Sequence, residues 1–388
     1  MKRFLKSNII IILFSVVIGI LLGEVVNEAI IKNVVLVVKQ ISGQIIFFLV
    51  PLIIFSFVSS SITNLRSNVT RLLFFAFVIA YLSSVVSAFF SMAVSRGVVP
   101  LLHIEPVSGA ASLPKPLFTL EITPLMSVIS SLLFAILVGI SSIWVQSDLV
   151  PRLLQDFQKM VLQIVRRVLL PILPIYIAMN FCVMSYQGQI SKFSIFLPAL
   201  VFVVLAHYIW LAILYLIGSA YSRENGWKIL RHYGPAYFTA LGTMSSAATL
   251  ATALECAEKS QVLKKEVVGF TIPLFANIHL SGAMITETFF LSVVSVLLYG
   301  HLPDPITFSL FIFLLGIFAV GAPGVPAGTA FASIGIITSL LGFDDNGIAL
   351  FLTLFALQDS FGTGCNIVGD GALSLIVQTY QNHIQNKK

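Results

Sequence analysis

The sequence predicts an all-α integral membrane protein with eight membrane-spanning helices and two re-entrant helical hairpins. Three observations support this fold class. The 388 residues are 58% hydrophobic and 10% charged, with a mean hydropathy of +1.01, whereas about a quarter of the residues in a soluble domain are charged. Several apolar runs approach the roughly 20 residues that a helix needs to cross a bilayer. Two later apolar segments are broken at their centres by small residues or by Gly and Pro.

Six apolar runs predict ordinary membrane helices. The first is followed by Glu24 rather than by a small-residue cleavage site, so we expect a retained helix and not a signal peptide. The prediction places the six helices at 9–23 with its flanks, 45–62, 72–94, 128–145, 161–184 and 195–217.

Basic residues in short loops predict the orientation of the chain. Lys and Arg recur before the first span and in every second loop, at 66–71, 152–167 and 223–231. Because such residues stay on the cytoplasmic side, we expect a cytoplasmic N-terminus in a bacterial inner membrane, with an external loop at 96–123. The net charge of +6 lies in these loops, which indicates membrane topology and no nucleic acid partner.

Two segments do not fit single crossings. The segment at about 233–260 lies between the basic residues Arg231 and Lys264, so both of its ends are expected on one side. Its centre, "SSAATL", consists of small residues that suit a helix-turn-helix. The segment at about 306–342 lies between acidic loops and carries "GAPGVPAG" at its centre.

These two predicted hairpins indicate where a site lies. Non-helical backbone survives at membrane depth only where protein covers it or water fills a cavity. Hairpins from opposite faces therefore predict a site near the midplane, which is typical of transporters built from inverted repeats. The alternative is that Gly and Pro kink two ordinary helices, which the charge pattern disfavours.

A polar stripe interrupts the last apolar segment, "LQDSFGTGCNIVGD". A carboxylate inside a membrane costs at least about 2.5–3.5 kcal/mol, so it normally marks a functional site. Oxygen groups without a nearby cation suit an ammonium group or Na⁺. The alternative is that one aspartate caps a helix break at Gly362 and Gly364. Spacings of four, three and four residues place the stripe on one helix face, at Asp359, Thr363, Asn366 and Asp370.

Four motifs resemble the dicarboxylate/amino acid:cation symporter family. They are "SSAATL", "IPLFANIHLSGA", "GAPGVPAGTA" and "LQDSFGTGCNIVGDG", in the family's order. The resemblance implies a homotrimeric, elevator-type secondary transporter without an organic cofactor. It also implies a scaffold of 1–71 and 97–190, and a transport domain of 72–96 and 191–388. Within the latter, helix 7 is expected at about 264–299 and helix 8 at about 346–378.

The resemblance also implies roles for individual residues. The position of Asp359 binds the ammonium group of an amino acid substrate. The other substrate-binding positions implied are Ser245, Ser246, Ala247, Gly324, Val325, Gly362, Thr363 and Asn366. The positions implied for Na⁺, the coupling ion, are Asn277, His279, Asn366 and Asp370.

Two departures from the family pattern refine these expectations. Members that carry acidic amino acids have an arginine where this sequence has Gly362, so we expect a small neutral amino acid; glutamate, aspartate or a C4-dicarboxylate is the alternative. The motif in helix 7 has His279, Ser281 and Ala283 in place of asparagine, aspartate and threonine, which weakens one sodium site. His279 is then either a packing residue or a proton-coupling group, and Glu287 is an alternative for the latter role.

Two other functional classes fit the sequence less well than a symporter. An ion channel also uses small residues and carboxylates, but the sequence has no repeated pore-loop motif. A membrane enzyme is disfavoured because neither HExxH nor GxSxG occurs. The three cysteines lie in unrelated segments, so no disulfide framework is expected.

Overall fold

The computed structural model describes residues 8–64, 71–102, 104, 114–118, 120, 122–146, 148–188, 196–322 and 327–385. Every regular element in these ranges is helical. The helices are α1 Asn8–Val25, α2 Glu28–Ile30, α3 Leu36–Asn64, α4 Arg71–Val98, α5 Val128–Val145, α6 Leu149–Ile164, α7 Leu170–Tyr186, α8 Phe196–Ser222, α9 Trp227–Leu230, α10 Gly234–Thr243, α11 Ser246–Lys259, α12 Lys265–Ile278, α13 Ser281–Tyr299, α14 Pro305–Val320, α15 Gly328–Leu341 and α16 Asp345–Gln385. Short 3-10 or π-helical turns are Ile31–Val35, Val99–Leu102 and Val165–Leu169.

The predicted all-α membrane class is confirmed by the lengths and compositions of these helices. Six continuous or nearly continuous helical stretches within the described residues are long and apolar enough to cross a membrane. They are Glu28–Ser60, Arg71–Leu102, Leu149–Tyr186, Phe196–Ser222, Lys265–Tyr299 and Asp345–Gln385. Shorter apolar helices are Phe14–Val25, Leu133–Val145, Pro305–Val320 and Gly328–Leu341.

The fifth predicted span begins earlier than the sequence indicated. Helical structure runs from Leu149 through the π-helical turn Val165–Leu169 to Tyr186, whereas the prediction began at 161. The added part, α6, is amphipathic and carries Arg152, Asp156 and Lys159. Hydropathy alone does not mark such a helix, because its polar face offsets its apolar face.

The helix predicted at 264–299 is broken in its middle. His279 has φ −102° and ψ 102°, which is extended backbone, so α12 ends before it and α13 begins at Ser281. The hydroxyl of Ser84 in α4 accepts the N–H of Leu280 at 3.1 Å. The break is therefore stabilised by a neighbouring helix, which hydropathy does not report.

The two segments with small or Gly and Pro centres form helical pairs. Helix α10 packs on α11, and α14 packs on α15. The first pair reverses at Met244, which has φ +52°, and at Ser245, which is extended and caps α11. The reversal in the first pair and the packing of α14 on α15 exclude the alternative of two merely kinked helices.

Helix α16 lies at the centre of the second half of the chain. It packs against α8, α10, α12 and α13, and 89% of its apolar 18-residue stretch is buried inside the protein. This shielding from lipid lets a membrane helix carry polar side chains. The helix is continuous through Gly362 and Gly364, so the predicted alternative of a break there is wrong. These glycines instead allow close approach, since added Cβ atoms would meet Thr286 and Tyr237, respectively.

Candidate functional site

A small cavity lies where the two hairpins, the α12–α13 break and α16 meet. Its volume is about 30 Å³, which leaves room for only a few water molecules. We call it the central pocket. Its described lining residues are Met244, Ser245, Ser246, Ala276, Asn277, Leu280, Ala283, Ala322, Gly328, Thr329, Asp359, Thr363 and Asn366.

Asp359 is the only charged side chain among the described residues that line the central pocket. It is 6% exposed, and its Oδ2 accepts the N–H of Ala327 at 2.7 Å. Ala327 has φ +57° and immediately precedes α15. One carboxylate oxygen therefore stabilises the second hairpin, while the side chain as a whole faces the pocket. A buried carboxylate without a cation attracts a positively charged ligand.

The N-termini of three helices point toward this region, and each of them is capped by a pocket residue. The Oδ1 of Asn366 accepts the N–H groups of Gly282 and Ala283 at 2.7 and 3.3 Å, at the start of α13. Asp359 caps the chain entering α15. At the start of α11, the hydroxyl of Ser245 accepts the N–H of Ala248 at 3.3 Å, and the N–H groups of Ser246 and Ala247 have no partner among the described residues. The first amides of α11, at Ser246 and Ala247, are therefore the helix-terminal donors best placed for an anionic group.

The predicted polar stripe divides into two environments. Asp359, Thr363 and Asn366 line the central pocket, and the Oγ1 of Thr363 donates to the carbonyl of Asp359 at 2.8 Å. Asp370 does not line it. This residue is fully buried, and its Oδ1 lies 2.9 Å from the Nδ1 of His279.

The pair of His279 and Asp370 determines what can bind there. The Nε2 of His279 lies 3.0 Å from the hydroxyl of Ser83, so both imidazole nitrogens have hydrogen-bond partners. The Oδ2 of Asp370 has no hydrogen-bond partner among the described residues. Of the positions that the resemblance assigned to Na⁺, this oxygen suits a hard cation, while the imidazole does not.

The other expected site residues are spread over several places. The Nδ2 of Asn277 donates to the carbonyl of Pro273 at 2.8 Å, and its side chain lines the central pocket, apart from Asp370. Ala247 lines a neighbouring cavity. Gly362 is not on the pocket wall, since a Cβ atom there would lie 3.2 Å from the Oγ1 of Thr286 in α13. Gly324 and Val325 lie outside the described residues.

Sequence reasoning missed a buried polar cluster next to Gly362. The Oγ1 of Thr286 donates to the Oε1 of Gln358 at 2.7 Å and lies 3.1 Å from the Nε2 of His207. His207 also contacts the carbonyl of Gly282 at 3.0 Å. The available signal was Gln358, the polar residue before Asp359 in "LQDS". Its partners Thr286 and His207 are 72 and 151 residues away along the sequence.

A scan against protein-family models matches residues 9–380 to the sodium:dicarboxylate symporter family. The chain belongs to this family. It is therefore a member of a family of membrane transporters, and the predicted resemblance is confirmed.

Similar curated proteins include transporters with two kinds of name. Human excitatory amino acid transporter 1 is 27% identical over 201 residues, which cover 50% of this chain and 35% of that protein. Human neutral amino acid transporter B(0) is 28% identical over 180 residues, covering 46% of this chain and 32% of that protein. The matched part spans about a third of the length of these relatives. Both kinds match at nearly equal identity, so these similarities do not distinguish acidic from neutral substrates.

Proposed function

We propose that this chain is a secondary active symporter that couples cation entry to the uptake of a small neutral amino acid. One observation carries the proposal: Asp359 is the only charged side chain among the described lining residues of the central pocket. Its carboxylate pairs with the substrate ammonium group. The amides of Ser246 and Ala247 receive the substrate α-carboxylate.

The lack of a cation in the described lining supports a neutral side chain. A side-chain carboxylate of aspartate or glutamate would lose its water without gaining a charged donor, which is unfavourable in a buried site. The other described side chains of the lining are uncharged, some apolar, as in Met244 and Leu280, and some polar, as in Thr329 and Thr363. A substrate as small as alanine or serine is accommodated by a modest opening of the hairpins.

The packing of the helices supports alternating access by two units. Helices α1, α3, α5, α6 and α7 pack mainly on one another, while α4 and α8 pack with α13 and α16. In our proposal the first group is a scaffold and a trimer surface, and the second group with both hairpins moves. The protein lies in a bacterial inner membrane with its N-terminus in the cytoplasm.

We propose Na⁺ as the coupling ion, with the free Oδ2 of Asp370 as one ligand. The proton is a second candidate, because the imidazole of His279 lies at hydrogen-bond distance from the other oxygen of this carboxylate. Both ions would be transported substrates rather than resident cofactors.

Uptake into proteoliposomes tests the proposal. Radiolabelled serine, threonine, alanine, aspartate, glutamate and succinate are offered with either a Na⁺ or a proton gradient. We expect saturable accumulation of serine, threonine or alanine that depends on the Na⁺ gradient. Strong aspartate or glutamate uptake that the neutral amino acids do not compete with would contradict the substrate class. Unsaturable ion current without accumulation would indicate a channel.

A further inference from the structure

A second and larger cavity adjoins the central pocket. It encloses about 440 Å³ between α3 and α6 on one side and α11, α12 and the end of α14 on the other. We call it the side cavity. Asn277 and Ala322 line both cavities, so the two spaces are neighbours. Ala247 lines the side cavity, one residue after Ser246 of the central pocket.

The charge of the side cavity is positive. Its described lining residues include Lys159 and Arg166 and no acidic side chain. The Nζ of Lys159 lies 2.8 Å from the Oδ1 of Asp156, so a carboxylate already offsets its charge. Arg166 makes no hydrogen bond or ion pair with any residue in the described part of the chain.

An unusual piece of backbone carries Arg166. The turn Val165–Leu169, between α6 and α7, is π-helical, and Val165 and Leu169 are buried within it. Single π-helical turns inside α-helices occur frequently at functional sites, because they redirect neighbouring side chains. Basic residues within a membrane-spanning helix commonly line transport pathways. Two arginines occupy this turn, but only Arg166 lines the side cavity.

We propose that Arg166 binds the carboxylate of the amino acid as it passes between the central pocket and the side cavity. This inference rests on the proposed function. The substrate carboxylate lies at the start of α11, and Ala247 at that point already faces the side cavity. The planar guanidinium provides paired donors that match a carboxylate. Arg166 therefore assists substrate exchange on one face of the membrane only, the face at which α6 begins and which is expected to be cytoplasmic.

The test compares two neighbouring arginines. Both arginines are exposed. Arg166→Gln removes the side-cavity cation that has no carboxylate partner among the described residues, whereas Arg167→Gln removes a cation that does not line the cavity. The KM for serine or alanine is measured at each face of the membrane, in proteoliposomes of defined orientation. We expect Arg166→Gln to raise the KM at the α6 face by about tenfold or more, as for loss of a charged hydrogen bond. The KM at the opposite face is expected to stay unchanged.

Further variants separate this role from folding. Arg166→Lys keeps the charge and is expected to restore part of the lost affinity, while Arg167→Gln behaves as the wild type. Equal KM values at both faces in Arg166→Gln, or the same change in Arg167→Gln, would overturn the inference. If replacing chloride with gluconate changes the KM of the wild type but not that of Arg166→Gln, the site binds inorganic anions and the inference is wrong. If the wild type transports no amino acid at all, the proposed function itself is wrong.

Discussion

The crossing of α13 and α16 leads to a sharp prediction about Gly282. A Cβ atom added at this residue would collide with the carbonyl oxygen of Gly362 and lie 2.6 Å from the Cβ of Cys365. A backbone carbonyl cannot rotate away, so α16 itself would have to shift. Small residues at such crossings let membrane helices approach closely. We therefore expect Gly282→Ala to separate these two helices.

The magnitude follows from two opposing effects. Overpacking a well-packed interior costs roughly 1–3 kcal/mol, while replacing Gly by Ala in a helix contributes up to about 1 kcal/mol in its favour. Because the obstacle is backbone, the cost is expected near its upper end, which leaves a net loss of about 1–2 kcal/mol of stability. The same shift displaces the N–H of Gly282 from the Oδ1 of Asn366, now 2.7 Å apart. Transport is expected to fall with stability.

A matched control is available in α12. Gly269 is exposed within this helix, and a Cβ atom there would have no neighbour within 4 Å. Gly269→Ala is therefore expected to be neutral or to stabilise the protein by up to about 1 kcal/mol. Thermal unfolding of both purified variants in detergent, together with uptake in proteoliposomes, provides the comparison. If Gly282→Ala is as stable and active as Gly269→Ala, the helix crossing described above is wrong.

Three further predictions concern the pocket and one hairpin. Asp359→Asn is expected to lower amino acid affinity by about 30-fold to several thousand-fold, as for truncation of a buried charge pair; calorimetric binding that matches the wild type would contradict the role of this carboxylate. Asn366→Ala removes the cap of α13 and is expected to cost about 0.5–2 kcal/mol. Thermal unfolding compares it with Asn277→Ala, because the Asn277 amide hydrogen-bonds, among the described residues, only within its own helix. Asp304 lies outside the membrane helices. Hydrogen bonds to its carboxylate, of which the one from the backbone N–H of Thr307 has the largest effect, hold the pKa of Asp304 below its ordinary value. The stabilisation from its capping of α14 is therefore fully present above the ordinary aspartate pKa and is lost as the pH falls through the lowered pKa. We expect amide hydrogen exchange at Thr307 to rise at acidic pH relative to an Asp304→Asn variant. Equal exchange in both proteins would exclude this mechanism.

Local sequence was sufficient for the membrane class and for the position of most helices. A run of about 20 apolar residues commits a segment to the bilayer whatever its neighbours are. Gly, Pro and small residues between like-charged loops were enough to indicate both helical pairs. The spacing of Asp359, Thr363 and Asn366 also placed them correctly on one helix face, since the helical period is a local property.

The composition of the site depended on contacts between distant segments. Asn366 caps Gly282 from 84 residues away, and Ser83 reaches His279 from 196 residues away. These contacts break helix 7, occupy the imidazole of His279 and separate Asp370 from the pocket. No local periodicity encodes them, because they depend on how α4, α13 and α16 pack.

Hydropathy and helical spacing act over one or two turns, so local sequence was enough to predict an apolar, helical chain with a carboxylate stripe in its last helix. Which polar groups remain available to a ligand depends on the packing of the helices. This packing turned Gly362 toward Thr286 in α13, committed one oxygen of Asp359 to Ala327, and placed Arg166 in a cavity beside the pocket. A hydrogen-bonding group is satisfied or left free according to its neighbours in space, and here those neighbours come from other helices.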